Sequence, residues 1–139
     1  MTPVPKRTAW VVAVGIMTGS CAGDGTGLAG PVPLAPTLSS LQQNIFTPIC
    51  TQCHTGAVAP LALALDSGIS RQNLVGVASV QVPAMARVVP GDPEASYLVW
   101  KIEGRQGVVG EQMPRGLQPL SPTEISAVRE WIQNGAADD

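Results

Sequence analysis

Aromatic side chains make up only 4% of these 139 residues, charged ones 13%, and there is a single histidine. Each shortage excludes something. One imidazole leaves no material for a site built on two histidines. Eight basic residues against ten acidic ones give no cationic excess with which to grip a phosphate backbone. That argues against nucleic acid and favours neutral or basic partners. No apolar run reaches the roughly 20 residues of a membrane-spanning helix. What the chain has in quantity is glycine (15) and proline (13), so loops must be abundant.

Against that background Cys50-Thr51-Gln52-Cys53-His54 stands out. Cys-x-x-Cys-His is the attachment pattern of c-type haem. Two thiols three positions apart can add to the two vinyl groups of one porphyrin, and the adjacent imidazole then serves as an axial ligand to the iron. His54 is the only imidazole available for that place. Two other chemistries use the same residue types. Structural zinc takes four ligands, and beyond Cys50, Cys53 and His54 only one further cysteine, Cys21, remains. A thioredoxin-like dithiol belongs beside a βαβ pattern, and no strand-helix alternation is present. Haem attachment is the stronger expectation. The scarce aromatics agree with it. A buried porphyrin would supply apolar area that Phe46, Tyr97, Trp100 and Trp131 do not, although the plentiful aliphatics can also build a core alone.

Residues 1–21 have the build of an export signal. Lys6 and Arg7 precede the short apolar stretch Thr8 to Met17, and small residues then lead to Cys21. Thr18-Gly19-Ser20-Cys21 resembles a bacterial lipobox, with Cys21 lipidated as the mature N-terminus. Ser20-Cys21-Ala22 also satisfies ordinary signal cleavage. Lipidation is favoured, since it gives the unpaired third cysteine a role. Haem attachment of this type takes place outside the cytoplasm, so the signal and the Cys-x-x-Cys-His motif support each other. Loss of Lys6 and Arg7 with the signal leaves a mature chain about four charges negative.

Residues 22–36 are rich in glycine, proline and small side chains and read as a flexible tether. Order is expected from Thr37, a helix N-cap, followed by Leu38, Leu41, Ile45 and Ile49 at near-helical spacing. Thr47-Pro48 interrupts that stripe and opens a fresh turn carrying Cys50 and Cys53 on one face. Gly56 to Gly68 reads as an apolar loop able to offer a backbone carbonyl to the second nitrogen of His54. Ser70 to Val75 is a short helix, and 76–91 is irregular. Asp92-Pro93-Glu94 predicts a helix start, with the helix running to about Glu103 and stopping at Gly104. Residues 104–120 form a loop holding Met113. Ser121-Pro122-Thr123-Glu124 is a capping box opening a last helix that buries Ile125, Val128, Trp131 and Ile132. The expected class is all-α, a 37–139 domain of about four short helices with long loops.

An iron held by His54 needs something on its other face. With no second histidine the choices are a methionine, water or an open position. After residue 21 there are two methionines, Met85 and Met113. Met113 is preferred, because its loop lies between helices and Pro114 stiffens it, whereas Met85 suits packing. Taken with Ile45-Phe46, Arg87-Val-Val-Pro-Gly-Asp-Pro-Glu-Ala-Ser-Tyr-Leu98, Met113-Pro114, Leu120-Ser121-x-x-Glu124 and Trp131-Ile132-x-x-Gly135-Ala136, the attachment motif resembles the exported monohaem c-type cytochromes of planctomycetes and myxobacteria. The likeness covers about 38–137. It implies a cytochrome c fold with one haem c per chain, thioether links at Cys50 and Cys53, and His54 and Met113 as iron ligands. It also implies first and last helices crossing near the haem. One departure is Arg115-Gly116-Leu117-Gln118-Pro119, where many relatives have a second proline or extra glycines.

The expected function is one-electron transfer, not enzymatic catalysis, with transient redox partner proteins and membrane contact only through a lipid on Cys21. The expected location is the periplasm or the outer side of a bacterial membrane. The competing class is a haem enzyme of peroxidase type, or a ligand sensor, with an open distal face. Arg87, Arg115 and Glu111 are the available distal groups for it, but roles as solvated side chains or as partners for haem propionates are the stronger expectation.

Overall fold

The computed structural model describes residue 1 and residues 33–139. Residues 2–21 of the expected export signal, the lipidation candidate Cys21 among them, and residues 22–32 of the expected tether lie outside the described residues. Residues 33–36 of the tether lie against the domain. Leu34 packs on the core, the Ala35 amide donates to the Ser40 hydroxyl at 2.8 Å, and that hydroxyl donates to the Pro33 carbonyl at 3.3 Å.

Regular structure among the described residues is helical, with no strand and only isolated bridges such as Val75–Val88. The four α-helices are α1 (Leu38–Leu41), α2 (Ser70–Leu74), α3 (Tyr97–Glu103) and α4 (Pro122–Gln133). The fold is therefore all-α. Thr37 caps α1 as its sequence context predicts, its hydroxyl accepting from the Ser40 amide at 3.3 Å. The helix then widens into a π-turn over Gln42–Phe46, closed by the Thr47 amide on the Gln42 carbonyl at 2.9 Å. This widening sets Ile45 and Phe46 into the core together. The capping box of α4 is complete: Ser121 Oγ accepts from the Glu124 amide, and the Glu124 carboxylate accepts from the Ser121 amide at 2.7 Å.

One helix boundary differs from the expectation. Asp92 does cap, accepting from the Ala95 amide at 3.0 Å, but only a single turn follows and α3 begins at Tyr97. The cause is Ser96, which is fully buried in an extended conformation. Its hydroxyl donates to the Asp92 carbonyl at 2.7 Å and accepts from the Val89 amide at 2.8 Å. Those bonds fold the segment back on itself, and the helix can start only beyond them.

Helix α4 packs against both α1 and α3. Trp131, Phe46, Leu41, Val99, Val128 and Ile132 are all essentially sealed from solvent there. Ile125 is only partly buried, and so is Leu98, which packs on the core and also lines a cavity. No helix among the described residues is long and apolar enough to cross a membrane.

A ring of charges ties α3 to α4 on the outside. Glu94 accepts from Arg105 at 2.7 Å and from Arg129, and Arg129 also reaches Glu103 at 3.0 Å. The Arg105 guanidinium lies 5.6 Å from the centre of the Trp100 ring. Hydrogen bonds from Arg105 and then Arg129 hold the Glu94 carboxyl down from about 4.5 to about 2. A carboxyl whose folded-state value is depressed contributes stability that is complete above the unfolded value and is lost as pH falls through the folded one. The stability difference between the wild type and Glu94→Gln should therefore be flat above about pH 5 and shrink as pH falls from about 4.5 toward about 2. Urea midpoints measured across that range check this. An equal difference at about pH 7 and about pH 3 would show that the ring contributes nothing of this kind.

Candidate functional site

The Cys50–His54 segment is wound into a single tight turn. Cys50–Gln52 is one turn of 3₁₀-helix, and the amides of Cys53 and His54 both donate to the Cys50 carbonyl, at 3.2 and 2.9 Å. Pro48 stands just ahead of the turn instead of in its first position, because Ile49 takes the capping place. The side chains of Thr51 and Gln52 reach back to the carbonyls of Thr47 and Pro48, at 2.6 and 2.8 Å. They secure the turn where proline brings no donor. Cys50 and Cys53 form no disulfide with each other, and Cys50 is half-buried while Cys53 is exposed. Burial pushes the Cys50 thiol up to about 12, so at neutral pH it is an uncharged group on an apolar wall.

His54 is held from behind. Its Nδ1 lies 3.0 Å from the Leu63 carbonyl. A carbonyl can only accept, so the ring proton sits on Nδ1 and the lone pair is left on Nε2. The sequence placed such a carbonyl somewhere in the Gly56 to Gly68 loop, and Leu63 supplies it. The loop is anchored at both ends: Asp66 accepts from Thr55 Oγ1 at 2.5 Å and from the Gly56 amide at 3.0 Å, and the Leu65 amide donates to the His54 carbonyl at 2.8 Å.

In front of His54 lies a cavity of about 300 Å³. That lies at the lower end of ordinary small-molecule pockets, about 300–1,000 Å³. Cys50, Cys53, His54 and Met113 all line it. Between them the walls are mostly aliphatic, from Ile49, Leu63, Leu65, Leu74, Leu98, Ile102 and Leu120 among others. Three cations also face it, Arg87, Lys101 and Arg115. Arg87 and Lys101 are both buried, and neither forms an ion pair among the described residues. Burial lowers both below their usual values. Each is satisfied by carbonyls: Lys101 Nζ donates to Val109 and Glu111 at 3.0 and 2.6 Å.

Met113 is set in place from α3. Its amide donates to the Lys101 carbonyl at 2.8 Å, and the Gln112 side chain donates to the Ile102 carbonyl at the same distance. Gly104 ends the helix at φ 67, a left-handed cap suited to glycine. A β-carbon there would stand 2.6 Å from the Gln112 side-chain oxygen, so the glycine also makes room for the returning loop.

Of the other residues singled out in the sequence, Arg115 lines the cavity and is paired with Glu111 at 3.1 Å. Met85 is half-buried and is not on the cavity wall, nor are Phe46 and Trp131. Lys101 was not legible as a site residue, since nothing local marks a helical lysine as buried. Among the described residues, no three His, Cys, Asp or Glu side chains are arranged to hold a metal ion between them. Comparison of the chain with family models, with curated proteins and with solved structures finds no match.

Proposed function

We propose that the chain is an exported single-electron carrier of the cytochrome c type, holding one covalently bound c-type haem in this cavity. The supporting observation is that the two thiols and the lone imidazole, adjacent in sequence, line one mostly aliphatic cavity together with Met113, 59 positions further on. The residues present fit such a group. A flat apolar body with two acidic side arms suits aliphatic walls carrying two cations, Arg87 and Lys101, that have no carboxylate partner of their own.

In this reading Cys50 and Cys53 anchor the group through two carbon–sulfur bonds. His54 offers its Nε2 lone pair to the metal, with its ring orientation and proton fixed by the Leu63 carbonyl. Met113, on the wall of the same cavity, would offer its thioether, and the mostly aliphatic lining would limit water around the group. Once bound, haem supplies one-electron Fe(III)/Fe(II) chemistry, at a potential raised by methionine ligation. Partners are other redox proteins in weak, transient contact, and lipidation at Cys21 tethers the domain to a membrane surface.

The reading is tested at Met113. Met113→Ala should abolish the sulfur-to-iron absorption band of the oxidised protein and lower the midpoint potential, while Met85→Ala leaves both in place. Survival of the band in Met113→Ala, or its loss in Met85→Ala, would move the ligand elsewhere. A high-spin resting spectrum with fast carbon monoxide binding in the wild type would point instead to an open distal site and to enzyme or sensor chemistry.

A further inference from the structure

The loop behind His54 is held in an unusual way: five consecutive backbone carbonyls, Leu61 to Leu65, are each taken by a side chain. Arg87 Nη2 donates to Leu61 at 2.7 Å and its Nη1 to Ala62 at 3.3 Å. His54 meets Leu63 at 3.0 Å, Asn73 Nδ2 donates to Ala64 at 2.8 Å, and Gln42 Nε2 donates to Leu65 at 2.9 Å. Arg87 further donates from Nη1 to the Asn73 carbonyl at 2.7 Å, in the last turn of α2. Its planar fork thus spans two segments, the loop and a helix end, and does so while buried.

The two residues it grips are the ones that need gripping. Leu61 and Ala62 lie in the left-handed region, at φ 58 and 52. L-residues adopt that conformation only when their surroundings enforce it. The next carbonyl along is Leu63, the acceptor for His54. We propose that Arg87 is a positioning residue for His54: by holding Leu61 and Ala62 in this turn it fixes the Leu63 carbonyl against Nδ1, and through it the orientation and basicity of the imidazole. The inference rests on the reading of His54 as an axial ligand and deepens it.

The test uses the pigmented holoprotein. Arg87→Lys keeps the positive charge but loses the fork that bridges loop and helix. It should speed solvent exchange of the His54 Nδ1 proton, followed by proton NMR in the reduced state, by about tenfold or more. It should also raise the midpoint potential, because a less firmly hydrogen-bonded imidazole is a weaker donor to the oxidised metal. The sulfur-to-iron band should persist. Wild-type exchange and potential in Arg87→Lys, with a shift appearing only in the charge-removing Arg87→Gln, would reduce Arg87 to a bare charge and overturn the inference. Should Arg87→Lys fail to accumulate, adding Ala62→Gly, which tolerates positive φ without help, should restore the holoprotein, and failure to restore it counts against the proposal. A colourless wild type overturns the axial-ligand reading and this inference with it, whereas a pigmented wild type with an indifferent Arg87→Lys overturns the inference alone.

Discussion

Serine at both Cys50 and Cys53 is expected to yield a polypeptide that keeps no pigment after denaturation, whereas the wild type runs as a coloured band on a denaturing gel. The two thiols are the only cysteines among the described residues, and both line the cavity. Serine hydroxyls are far weaker nucleophiles than thiols and add to no vinyl group under the same conditions. The loss should extend beyond colour. An aliphatic cavity of this size with nothing in it exposes its lining to water, and a ligand bound only by the folded state stabilises that state. The double variant should therefore also be cut by protease far faster than the wild type. Pigment that stays attached in the double variant would sink the proposed attachment, and so would a wild type whose mass equals that of the bare polypeptide.

Trp131→Ala is expected to be the most damaging single change in the core. Trp131 is 1% exposed at the junction of α4 with the rest of the core, and its indole nitrogen donates to the Ala137 carbonyl at 3.0 Å. Truncating a buried tryptophan typically costs about 3–5 kcal/mol through lost burial and a residual void. Set against total stabilities of about 5–15 kcal/mol for domains in general, that is a large fraction. At about 4 °C per kcal/mol, the melting temperature should fall by roughly 12–20 °C. Trp100→Ala provides the contrast, since Trp100 is only half-buried and its indole bonds to the Glu94 carbonyl near the surface. A Trp131→Ala loss no larger than that of Trp100→Ala, read from thermal melts, would show that the core does not depend on this ring.

How far the sequence carried the reading depended on the range of the interactions involved. The caps at Thr37, Gly104 and Ser121 span three or four residues and were legible. So was the capping box, whose two partners are three apart. The start of α3 was misplaced because Asp92 gives a real capping signal, and what stops it is a buried serine hydroxyl bonded to Val89 and Asp92. The thiols, the imidazole and Met113 were legible as residue types with known chemistry. That Leu63 would be the carbonyl behind His54, and that Arg87 would hold its loop, was not. Those contacts join positions 9 to 26 residues apart and use backbone oxygens, which every residue has. Nothing in the local pattern distinguishes one carbonyl from its neighbours.

The returning stretch 109–113 is stitched to α3 at several points: Lys101 on Val109 and Glu111, Tyr97 Oη accepting from the Val109 amide at 3.0 Å, Gln112 on Ile102, and the Met113 amide on Lys101. No one of these bonds can be released usefully alone, since the others hold the strip in register. The stretch that carries Met113 therefore does not come away by gradual fraying. It leaves only in an all-or-none excursion of the whole strip, a latch that is either home or fully undone.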